Sequence, residues 1–237
     1  MNSRWVVPLK AVARSPERRC LLVVLLAASL AGWSAPLPAA PRVDAEASVR
    51  MLTLSEQAAM RGVVWKPGCP VGLNDLRRVE SLVVGFDGTI YRGGLVVHKR
   101  VAPAVKRILT RLFEAGFPIE AMEPMETFGG DDDRSTKANN SSGFNCRRVS
   151  GRPKTFSEHA YGRAIDINPV QNPYVRSDGS VLDPMARRYL DRSGVAGERG
   201  VLTTGDAAVK AFRAEGWYWG GLWQRGRDYQ HFSATGR

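Results

Sequence analysis

The sequence predicts an α+β fold: a single domain built on a small, mostly antiparallel sheet with flanking helices. Three stretches carry that expectation. RVESLVVGFDGTIYRGGLVVH, from Arg78 to His98, holds two β-prone runs joined at Asp87-Gly88, a strong hairpin signal. VAPAVKRILTRLFEAG places Val101, Val105, Ile108, Leu109 and Leu112 on one helical face, with Pro103 in the first turn and Gly116 as the stop. AIDIN, from Ala164 to Asn168, alternates as a strand does, with Ile165 and Ile167 on one side and Asp166 on the other.

The elements follow in chain order. Residues 1–40 carry five basic residues against one acid, then the apolar run LLVVLLAASLAG, then the small-residue and proline stretch SAPLPAAP. Twelve apolar residues are too few for a bilayer span of about 20. The pattern is that of a secretory signal peptide cleaved near Ala39 or Ala40, with a retained N-terminal anchor as the competing reading. No cysteine follows Gly32, so the lipoprotein pattern is missing. Residues 41–67 read as a weakly ordered lead-in with a helix near Ser55 to Arg61, and 68–237 as the functional domain. Within it, PIEAM reads as a short strand and Phe128 to Thr155 as a long polar loop. Helices are expected from Pro184 to Arg192 and from Asp206 to Glu215. The close, GWYWGGLWQRGRDYQHF, is aromatic and turn-rich, and no internal repeat occurs.

The net charge of the chain is +11, and without residues 1–40 it is +7, from 29 basic against 22 acidic residues. The surplus is spread along the chain rather than gathered in a stripe, which argues against nucleic acid as a partner. It suits an exported protein drawn to anionic partners such as cell-wall polymers or acidic lipid surfaces, or simply a soluble basic surface. Cys20 lies in the leader; Cys69 and Cys146 remain, and an oxidising compartment favours pairing them.

Chemistry concentrates in SEHAYGRAIDIN and DYQHF. Gly162 lets the backbone turn so that His159 can swing over the face that carries Asp166. A carboxylate on a central strand needs a partner. A divalent metal held by His159, Asp166 and His231 would be one, since catalytic zinc sites take three protein ligands and leave a position open. A simple histidine–aspartate hydrogen bond is the other reading, and His98 is an alternative third imidazole. Asp228, three residues before His231, is placed to act as a general base on the attacking water. Ser157 beside His159 is no serine-hydrolase signature, because no GxSxG elbow is present. The aspartates of GGDDDRS do not have the spacing of a calcium loop.

SxHxxGxAxD followed by DxxH resembles the zinc peptidases that include D-alanyl-D-alanine carboxypeptidases of the VanY type, D,D-dipeptidases and L-alanyl-D-glutamate endolysins. NNSSGFNCR, AIDINPVQNPY and the Trp-rich approach to the last histidine look like the extensin-like branch. The resemblance runs from about Gly68 to Phe232. It implies the Hedgehog/DD-peptidase fold with a zinc cleft, zinc on His159, Asp166 and His231, and Asp228 as acid/base. It further implies Arg147, ahead of Arg148, as the group that binds a substrate carboxylate or the polarised carbonyl, with Ser157 near the site. Some relatives carry glutamate as the base, and Asp228 is shorter. Tyr161, Tyr174, Trp219 and Trp223 either line a groove or pack in the core. The expected protein is an exported, monomeric zinc peptidase acting on peptidoglycan, one zinc per chain. The alternative is a non-catalytic wall-binding module with a structural metal.

Overall fold

The computed structural model describes residues 46–224 and 226–236. The expected leader and its expected cleavage site lie outside the described residues. Among those described, no helix is long and apolar enough to cross a membrane.

The first layer is an antiparallel sheet in the order β1 (Ser48–Met51), β2 (Leu76–Val84), β3 (Ile90–His98). The β2–β3 pairing runs in register from Leu76 opposite His98 to Val84 opposite Ile90. Asp87-Gly88 turns the hairpin as expected. The Asp87 carboxylate accepts from the Thr89 amide at 2.9 Å, and Gly88 adopts the left-handed φ of 84° that suits glycine.

Helix α2 (Ala102–Glu114) covers β2 with Val105, Ile108, Leu109 and Leu112, all fully buried. Its end is a Schellman motif: Gly116 is left-handed, its amide donates to Phe113 O, and the Phe117 amide donates to Leu112 O. Helix α4 (Ala207–Ala214) starts on an Asp206 side-chain cap and closes the same way at Gly216 and Trp217. Each of these boundaries has a local chemical cause, which is why the sequence anticipated them.

The second sheet has the order β6 (Ala164–Asp166), β8 (His231–Ser233), β7 (Tyr218–Trp219), again antiparallel. Ile165 and Ile167 enter the main core with Phe232, which stacks on Phe212 of α4 at 3.8 Å between centroids. The other side of β6 is therefore free to carry the site.

The α+β class is borne out, with changes in detail. The expected sheet is divided into two three-stranded sheets and a small hairpin, β4 (Arg148–Val149) with β5 (Arg152–Phe156). Residues 46–67 are not loosely attached: β1 pairs with β2, and α1 (Leu54–Met60) starts on a capping box between Thr53 and Glu56. PIEAM forms only single bridges, Val84 with Pro118 and Ala121 with Asn140, though Ile119 and Met122 are buried. The expected helix at 184–192 is a 3-10 turn, Pro184–Tyr189.

The polar stretch after Phe128 is largely ordered. It holds α3 (Asp132–Lys137), capped by Asp131, and then a buried run from Asn139 to Cys146. Its side chains satisfy buried backbone groups rather than solvent: Asn140 bonds the Glu123 amide and carbonyl. The Asn139 amide nitrogen donates to the Gln171 side chain. Cys146 is joined to Cys69, with Cα atoms 6.0 Å apart, as expected.

Candidate metal centre

Ser157 opens the site. Its hydroxyl accepts from the His159 amide at 3.3 Å and caps the 3-10 turn Glu158–Tyr161, which Gly162 ends in a left-handed conformation. A side chain at Gly162 would meet the His98 backbone nitrogen at 2.6 Å, so glycine is needed for the close approach of this turn to β3. The turn folds His159 back over β6. Across the β6–β8 ladder, Asp166 lies directly opposite His231. Residues far apart in sequence thus meet because one tight turn and one strand pair bring them together.

The resulting donor set is compact. His159 Nε2 lies 3.3 Å from His231 Nδ1 and 3.2 Å from Asp166 Oδ2, and His231 Nδ1 lies 3.1 Å from Asp166 Oδ1. All three residues are buried. Ligands about 2.0–2.2 Å from a tetrahedral zinc would sit about 3.3–3.6 Å from one another, close to the separations seen. The Nδ1 atom of His159 donates to the Gly143 carbonyl at 2.7 Å, which leaves Nε2 with its lone pair toward the cluster. Gln230 donates to Asp166 Oδ2 at 3.2 Å and steadies the carboxylate. Burial pushes the Asp166 carboxyl up, but the two imidazoles outweigh it and hold the group well below the usual carboxylate range. Two imidazole nitrogens and an ionised carboxylate converging at this spacing fit a divalent metal of the zinc type.

Asp228 stands beside the set. Its amide donates to Gly220 O at 3.1 Å, Tyr174 bridges it, and its carbonyl accepts from the His231 amide at 3.3 Å. A side chain at Gly220 would strike the Asp228 carbonyl at 2.6 Å, so the close approach again needs glycine. The Asp228 Oδ1 atom is shut from solvent and has no hydrogen-bond partner among the described residues. Burial pushes this carboxyl up to about 7; His231 opposes the rise and the Asp166 charge adds to it. A carboxyl held in that range can accept a proton in its charged form and donate one in its neutral form.

The remaining expected residues divide. Arg147 is within electrostatic reach of Asp228 and is ion-paired with Asp132, whose other oxygen accepts from Asn145 at 2.8 Å. Tyr161 packs edge-on against Phe156, with Arg163 over its ring at 4.4 Å. Trp223 lies 5.4 Å from the His231 ring, and Tyr174 is exposed. Trp219 is core, its indole donating to Tyr229 O at 2.7 Å. His98 stays out of the cluster, its Nδ1 accepting from the Arg100 amide at 3.1 Å. Gly143 and Gln230 were not anticipated. A backbone carbonyl leaves no side-chain signal, and Gln230 is marked only by its place inside DYQH.

Comparison with known families bears on this same stretch. Residues 150–234 match the family described as D-alanyl-D-alanine carboxypeptidase. The matched segment contains His159, Asp166, Asp228 and His231; it begins after Arg147 and does not reach back to Gly68. No curated protein and no solved structure matches the chain. The matched segment thus coincides with the part of the chain that builds the buried cluster, which supports a peptidase.

Proposed function

We propose that this protein is an exported zinc metallopeptidase that hydrolyses peptidoglycan stem peptides, with one zinc on His159, Asp166 and His231. The observation that carries the reading is the buried trio of donor atoms 3.1–3.3 Å apart, with the partnerless Asp228 oxygen beside it. When bound, zinc supplies Lewis acidity toward a peptide carbonyl and a water.

The chain's own residues supply the rest. Asp228 takes the proton of the attacking water and delivers it to the leaving amine, so the base becomes the acid. His159 and His231 keep one ring nitrogen each turned to the centre, the first through its bond to Gly143 O. Arg147, braced by Asp132, holds a substrate carboxylate, and Ser157 and Tyr161 complete the wall around the peptide. The disulfide and the leader pattern support an oxidising, exported setting. The basic surplus is spread along the sequence rather than gathered in a run, which speaks against nucleic acid, and the protein acts as a monomer on peptidoglycan.

The test is digestion of defined muropeptides by zinc-loaded protein, read by mass spectrometry. Release of terminal D-alanine marks carboxypeptidase action; cleavage between L-alanine and D-glutamate marks endopeptidase action. A zinc-replete protein that cuts neither bond would leave a metal-holding wall-binding module and overturn the reading.

A further inference from the structure

Beyond β6 the chain makes a long excursion from Asn168 to Leu202 that contributes no strand to the sheets. Arg192 gathers it. The guanidinium donates to the carbonyls of Gln171 at 2.7 Å, Tyr189 at 3.2 Å and Leu202 at 2.7 Å, and to Asn172 Oδ1 at 3.0 Å. Every acceptor is neutral. The Arg192 Nε atom is shut from solvent, and among the described residues it has no partner and no carboxylate offsets the charge. A face is added to these bonds: the guanidinium lies 4.5 Å from the ring centroid of Tyr229.

A cation without a counter-ion in this setting is costly, and the four hydrogen bonds to neutral acceptors offset that cost. Arginine adds what an apolar chain lacks, a planar fork and a stacking face in one rigid group. Tyr229 is the residue it grips, and Tyr229 sits inside the functional segment. Asp228 precedes it, Gln230 follows it and holds Asp166, and His231 comes next. Tyr229 is fixed on its other sides too: its carbonyl accepts from Trp219 and its amide donates to Pro173 O at 3.3 Å.

We propose that Arg192 is a positioning residue for the metal centre. By stacking on Tyr229 while its fork ties Gln171, Asn172 and Leu202, it fixes the segment Asp228–His231 against β6. The activity readout rests on the peptidase reading; the metal-affinity readout does not.

The experiment is a double-mutant cycle of Arg192→Lys, which keeps charge but loses fork and face, with Tyr229→Leu, which removes the ring. Zinc affinity by chelator competition, kcat and KM on a muropeptide, and thermal unfolding are measured on all four proteins. Each single variant is expected to weaken zinc binding about 10-fold and to lower kcat about 10-fold with KM changed less than about two-fold. The double variant should lose about as much as either single, because both break one contact. A lowered unfolding temperature with zinc affinity and kcat intact would make Arg192 merely structural and overturn the proposal. Additive losses of about 100-fold would equally overturn the route through Tyr229. Arg192→Gln, which retains two donors, serves if the lysine variant does not fold. If wild-type protein cleaves no muropeptide, the peptidase reading fails, and the zinc-affinity cycle still decides for or against positioning.

Discussion

His159 Nε2 lies 3.3 Å from His231 Nδ1 across 72 residues of sequence, and both nitrogens face the Asp166 carboxylate. Each nitrogen meets a different oxygen of that carboxylate, so the donor atoms converge on one point where a divalent ion would be held. His159→Ala and His231→Ala are therefore expected to reduce bound zinc from one per chain to nearly none. His98→Ala should leave it unchanged, since His98 bonds the Arg100 amide instead. Elemental analysis after dialysis is the measurement; zinc lost from the His98 variant would mean that the third ligand is misassigned.

Asp228 is separable from the ligands by the same preparation. Asp228→Asn keeps size and polarity and removes basicity. As the proton carrier it should cost roughly 10²–10⁴-fold in kcat with zinc affinity near normal. Were Asp228 only a brace for His231, the variant would instead weaken zinc about 10–100-fold, and excess zinc would restore activity. Zinc titration beside peptide hydrolysis tells the two apart.

Acid stability should report the packing of the N-terminal elements. Arg50 on β1 meets Glu56 of α1 at 2.7 Å and Glu80 of β2 at 3.0 Å. The Arg50 hydrogen bond, against the opposing effect of burial, lowers the Glu56 carboxyl to about 2. A carboxylate favoured in the folded state stabilises above its unfolded value, near 4.5, and that contribution is lost as pH falls through about 2. Glu56→Gln should thus cost about 1–2 kcal/mol at neutral pH, after allowance for solvent screening of partly exposed groups, and almost nothing near pH 2. Urea midpoints of the two proteins across that range would expose a constant difference, which would exclude this ion pair as the cause.

What the sequence made legible was local. Asp87-Gly88, the Gly116 and Gly216 stops and the Asp206 cap each act within a few residues, so hairpin and helices could be placed from the chain alone. His159 and Asp166 share one turn and strand, but His231 lies 65 residues beyond Asp166, so local rules left His98 as an alternative and the family resemblance singled out His231. The run Asn139–Cys146 was not. Its Asn and Ser composition is that of a loop, yet Asn140 and Ser141 are fully buried because their partners are distant backbone groups. β1 escaped for a different reason: it is four residues long and mostly exposed, so no alternation marks it, and pairing with β2 alone makes it a strand.

The bridge between Cys69 and Cys146 spans 77 residues and joins the turn before β2 to the end of that buried run, one residue before Arg147. Phe144, Cys146, Leu73 and Leu76 share a small cluster there, with Trp65 and Cys69 packed against it. A closed loop of this length is worth on the order of 3–5 kcal/mol through the entropy it removes from the unfolded chain. Thiol labelling in denaturant without reductant should find neither of these two cysteines reactive. Cys69→Ser is expected to lower stability by about that amount while sparing zinc, because no metal ligand lies in the cluster. Its effect on hydrolysis should appear first as a raised KM, since loss of the tether frees the segment that carries Arg147, and only weakly in kcat. A variant with unchanged KM and reduced kcat would shift the role of this tether from holding substrate to ordering the His159 carbonyl anchor at Gly143.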